Sequence, residues 1–117
     1  MGQSPTIGQS LEFPDFFYFL RFGQESSHFA VTTHLGESAM LCFRSIRDMD
    51  VYAKPFEDTP GMSRYDSDAQ SIDSARDFLR EHFPSFRALV LFEPGYVPGR
   101  DEARLSVHIP PPQPVIG

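Results

Sequence analysis

The sequence predicts an α+β fold: a two-layer sandwich in which two helices cover one face of a mainly antiparallel, five-stranded sheet. Three observations predict it. Short stretches with period-2 or wholly apolar patterning lie at both ends of the body, two stretches with helical spacing lie between them, and the links are rich in Gly, Pro, Ser and Asp. The chain has 117 residues, of which 40% are hydrophobic and 12 are Phe. That length suits one domain, with apolar mass enough for a core that needs no metal or disulfide staple. Residues 1–14 carry Gly2, Pro5, Gly8 and Pro14 without periodicity and read as a flexible lead-in, 15–109 as the domain, and 110–117 as a Pro-rich tail in polyproline II conformation.

Residues 16–22 (FFYFLRF) are apolar on both faces except at Arg21, as a central strand requires. Gly23 to Ser27 turns the chain. Residues 28–34 (HFAVTTH) are β-branched and aromatic, and residues 39–44 (AMLCFR) follow after a short link, which makes an antiparallel meander. Ser45 is placed to cap a helix, with Asp48 three residues on and Ile46, Met49, Tyr52 and Ala53 as its apolar stripe. Pro55 disfavours helix at Lys54 and limits this element to about two turns. Residues 55–70 read as a long loop around Pro60-Gly61. Ser71 caps the second helix, whose stripe is Ile72, Ala75, Phe78, Leu79 and Phe83, with Asp73 and Asp77 early, Arg80 late and Pro84 as the stop. Residues 88–92 (ALVLF) read as a buried strand, 94–103 as a loop, and 104–109 (RLSVHI) as an alternating strand with Leu105, Val107 and Ile109 inward. The order is β-β-β-α-α-β-β.

Alternation sorts the strands into faces. The helix-covered face is expected to hold Phe16, Tyr18, Leu20, Phe22, Phe29, Val31, Leu41, Phe43, Val90, Phe92, Leu105 and Val107. The other face then collects Phe17, Phe19, Arg21, His28, Thr32, His34, Met40, Cys42, Arg44, Leu89, Leu91, Arg104, Ser106 and His108. Left bare, its large apolar groups make a patch of the kind that marks a contact surface. Phe17, Phe19, Arg21, His34, Met40, Arg44, Leu89, Leu91, Arg104 and His108 are therefore the candidate interface or ligand residues. Two loops add aromatic-plus-Arg candidates of the sort that anchor protein contacts: Met62, Arg64 and Tyr65 in one, Tyr96 and Arg100 in the other.

Charge narrows the functions. The formal net charge is −6, which excludes a surface built to neutralise nucleic-acid phosphates. Nine acids fall within residues 48–81. No apolar run reaches the ~18–20 residues of a membrane span, and the first residues have neither the basic nor the apolar region of a secretory signal. Met1-Gly2-Gln3-Ser4-Pro5-Thr6 fits the loose N-myristoylation pattern at Gly2, but no polybasic patch follows to complete an anchor. The single Cys42 excludes an internal disulfide and suits a reducing, cytoplasmic setting. No nucleophile elbow, phosphate-binding loop, dinucleotide fingerprint or zinc-protease motif occurs, so no catalytic residue or cofactor is predicted. His28 and His34 share a strand face but stand about 20 Å apart at ~3.3 Å per residue, too far for one metal ion.

These readings converge on a small non-enzymatic interaction or regulatory module. It is expected to dimerise with its own copy through the open sheet face, as an acidic adaptor or inhibitor of a basic partner. The alternative is a binder of an anionic or aromatic small molecule, or a cofactor-free enzyme, with a pocket over Arg21, Arg44, His34 and His108.

Overall fold

The computed structural model describes residues 13–23 and 28–111. The lipidation pattern at Gly2, nearly all of the lead-in and most of the Pro-rich tail lie outside the described residues. The α+β class holds, with one sheet of seven strands and two helices among the described residues. The strands are β1 (Phe16–Phe22), β2 (His28–Phe29), β3 (Val31–His34), β4 (Glu37–Phe43), β5 (Arg64–Ser71), β6 (Ala88–Phe92) and β7 (Ser106–His108); the helices are α1 (Ile46–Ala53) and α2 (Ile72–His82). The pairings are antiparallel except that β4 and β6 run parallel, Ala39 beside Ala88 through Phe43 beside Phe92.

The centre of the sheet is a fork. β1 and β4 pair directly at Tyr18–Phe43 and Phe19–Cys42, then diverge. Residues 28–34 line the inside of the fork, with β2 against β1 and β3 against β4. The chain reverses between them at buried Ala30, whose N–H donates to Leu20 O at 2.8 Å and whose carbonyl accepts from Leu41 N–H at 3.1 Å. A methyl side chain fits this junction, and a branched one would push the strands apart.

Both helix caps form as their serines predict. Ser45 Oγ accepts from Asp48 N–H at 3.2 Å. Ser71 Oγ accepts from Ser74 N–H at 3.1 Å while Ser74 Oγ accepts from Ser71 N–H at 2.9 Å, a reciprocal capping box. Pro55 does end α1, as part of a 3-10 turn over Lys54–Phe56.

Four expectations are corrected. Residues 28–34 are two short strands, not one, because they serve two partners. Residues 64–70, expected within the 55–70 loop, form β5 with Ser71 along the outer side of β1, which raises the strand count above five. Phe29, Leu105 and Val107 lie on the face opposite to the one expected, and Phe16 and Val31 are exposed. Finally, the two helices do not share a face. Met49 of α1 packs with Leu20, Leu41, Phe43, Val90 and Phe92, whereas Ala75 and Leu79 of α2 pack with Phe17, Phe19, Met40, Cys42, Leu89 and Leu91. These two sets alternate along each strand, so they are the two sides of the pleat. Between the helices the chain runs out along the sheet edge as β5, and α2 leaves that edge on the far side.

Candidate functional site

The face expected to be bare is sealed by the chain itself. Phe17, Phe19, Met40, Leu89 and Leu91 are each at most 1% exposed beneath α2 and its surrounding Phe rings. They are core, not a dimer interface or a pocket floor. Cys42 is buried in the same layer, and that burial pushes its thiol well above its ordinary pKa, which makes it unreactive.

The polar candidates scatter. Arg21 of β1 stacks on the ring of its cross-strand neighbour Tyr65 at 4.3 Å, and among the described residues its buried Nε has no hydrogen-bond partner. Arg44 is exposed beyond the end of β4. Arg104 lies 3.9 Å from Glu93. Of the four residues proposed to ring one pocket, only His34 and His108 come together, in a cavity of about 220 Å³ shared with Glu37, Arg87 and Ser106. The loop aromatics turn inward. Tyr96 packs on Phe92, and Met62 on the α1-side core. Asp101 ties the 94–103 loop by accepting from Val97 N–H at 2.7 Å; that bond holds its carboxyl below the usual range. Burial, with Asp101 nearby, raises the Tyr96 phenol. Arg100 lies 3.3 Å from Asp101 and completes this local cluster.

The most distinctive surface is one the sequence pattern hid. β5 is eight residues long and pairs on one side with β1; among the described residues no strand pairs with its other side. In an antiparallel strand about half of the backbone N–H and C=O groups point to each side, so β5 presents a row of donors and acceptors outward. It also carries a bulge: Tyr18 pairs with Ala69 but Leu20 with Asp66, so Ser67 and Asp68 together oppose Phe19, and Ser67 Oγ donates to the Phe19 carbonyl.

The acids gather on the segments around this edge. Residues 48–81, which run from within α1 through β5 almost to the end of α2, hold nine Asp and Glu against four Lys and Arg, with Arg47 of α1 just before them. Two of those four bases are held by neighbouring acids, Arg64 by Asp50 and Arg76 by Asp73. Beside the start of β5, Asp50, Ala53, Lys54, Glu57, Met62, Ser63 and Arg64 line an open groove of about 480 Å³. The nine acids were visible as a run in the sequence; what could not be seen was that a strand edge runs through their midst.

Among the described residues no three His, Cys, Asp or Glu side chains gather as a metal site, and no helix is long and apolar enough to cross a membrane. Compared with protein-family models, with curated proteins and with solved structures, the chain finds no match.

Proposed function

We propose that the protein is a cytoplasmic interaction module that receives a basic, extended segment of another protein as an added strand on β5. The observation that carries this reading is the outer edge of β5, with which no strand pairs among the described residues, within a segment of surplus negative charge. Main-chain hydrogen bonds to an edge supply affinity without regard to sequence, and the flanking charge selects which segments approach. Asp68 and the bulge work against a second copy of this chain: two such edges would set like charges against each other and meet out of register. A Lys- or Arg-bearing strand has neither handicap.

The test uses fluorescence anisotropy with a labelled peptide of four Lys-Val repeats, its Glu-Val counterpart, and a Lys-Val peptide N-methylated at alternate backbone nitrogens. Saturable binding of the first alone, weakening as salt rises, is the expected result. Equal binding of the N-methylated peptide would mean charge attraction without strand addition and would defeat the proposal, as would no binding at all.

A further inference from the structure

We propose that Ser106 is a nucleophile activated by His34 and that it accepts an acyl group from small esters. The site lies at the β7 side of the sheet, away from β5, and does not depend on the edge-binding reading.

β3 and β7 are separated in the sheet by β4 and β6, about 14 Å at ~4.8 Å per strand. Yet Ser106 Oγ lies 3.3 Å from His34 Nε2. Ala88 of the intervening β6 lines the cavity between them and carries only a methyl group, so the imidazole can reach across. The two side chains meet at the wall of the 220 Å³ cavity, which is open to small molecules. A hydroxyl in hydrogen-bond reach of an imidazole nitrogen is the first requirement of an activated serine.

The cavity supplies two further groups. Glu37 stands opposite His34 in the hairpin register and lines the same cavity. Arg87 is pinned by Nη1 donating to the carbonyls of Pro84 at 2.8 Å and Phe86 at 2.9 Å. Arg87 thus lines the cavity wall with its guanidinium held on those carbonyls.

In the step itself the Ser106 hydroxyl proton passes to His34 Nε2 as Oγ bonds to the ester carbonyl carbon. The tetrahedral oxyanion then collapses, the bond to the leaving oxygen breaks, and the alcohol departs with the proton from His34. Water repeats the sequence on the acyl-serine and releases the carboxylic acid.

The experiment treats the full chain with 4-nitrophenyl acetate, follows nitrophenolate release, and maps the acetyl group by peptide mass spectrometry. Acetylation at Ser106 is expected. It should vanish in Ser106→Ala and slow by about 10²-fold in His34→Gln, the usual contribution of a general base. His82→Gln, on α2, serves as the control for stray imidazole reactivity and should leave the rate unchanged. Ser106 is exposed, so its loss leaves the core untouched, and circular dichroism checks the fold of each variant. Acetyl groups found elsewhere, or an undiminished rate in Ser106→Ala or His34→Gln, overturn the proposal.

Discussion

The two faces of the sheet are closed by different means. The α2 face is finished mainly in phenylalanine: around its buried centre stand Phe13, Phe29, Phe78, Phe83 and Phe86, with Tyr65 beside Arg21 at the β5 edge. Edge-to-face and tilted ring contacts link Phe19, Phe29, Phe78, Phe83 and Phe86 in one network. The α1 face is finished mainly in tyrosine, with Tyr18, Tyr52 and Tyr96 and one phenylalanine, Phe56, around the buried centre beneath Met49. Helix length accounts for the contrast. α2 has 11 residues and spans about 16 Å, whereas α1 has 8 and spans about 12 Å. The longer lid covers more of its face, and rings without hydroxyls fill most of its half-buried margin. A shorter lid leaves a damp margin, where a ring can bury its body and keep its oxygen wet.

The largest test of that contrast is truncation beneath each lid. Leu79→Ala and Met49→Ala each remove a fully buried side chain, at about 2–5 kcal/mol. Leu79 is expected at the upper end, because its stiff ring surroundings cannot collapse into the void, and Met49 at the lower, because the shorter lid and nearby loop can relax. Urea denaturation measures both, and a larger loss for Met49 would remove the distinction.

Alkaline titration separates the faces next. Burial raises Cys42 on the α2 side above 9.0 and Tyr52 on the α1 side above 10.0. A raised pKa means that the folded chain keeps a proton the unfolded chain gives up, so stability falls as pH climbs past the unfolded value. Cys42 should therefore cost about 1.4 kcal/mol per pH unit above 9, with the tyrosines joining only above 10. Cys42→Ala should flatten the stability profile between these two points; an unchanged slope there would place the loss elsewhere.

The smallest effects are at the caps. Ser71→Ala removes the bond from Ser74 N–H and the 3.3 Å contact with Ser74 Oγ, while its own N–H keeps its bond to Ser74 Oγ, and should cost about 1–2 kcal/mol, against about 0.5–1 kcal/mol for Ser45→Ala, which loses one bond. Thermal melts would show the order, and equal shifts would mean that Ser74 adds nothing.

What the sequence made legible follows from how each element earns its shape. β1, β4 and β6 are dense in apolar residues, and their split into two alternating sets is the one observed. The serine caps were equally plain. β5 was illegible because Arg-Tyr-Asp-Ser-Asp-Ala-Gln-Ser has almost no apolar alternation; it is a strand because the backbone of β1 needs a partner on that side. The side each helix takes was hidden for a related reason, since a helical stripe records that it is buried and not against which face. One clue did exist. A strand such as 16–22, apolar on both sides, calls for cover on both sides. Of the candidate residues, His34 and His108 do share a cavity; Glu37 joins them from the hairpin beside His34, while Ser106 and Arg87 come from strands and links that the sequence does not place beside it.

The lone parallel contact has a kinetic consequence. Ala39 must find Ala88, and parallel register allows no tight hairpin to bring them together, so the intervening chain with both helices has to be looped out first. Until that closure, Ala88-Leu89-Val90-Leu91-Phe92 is a wholly greasy, uncharged segment with no neighbour, the kind that seeds intermolecular cross-β stacking. The nascent chain is thus most vulnerable to aggregation in the interval after the meander has formed and before its last central strand slots in.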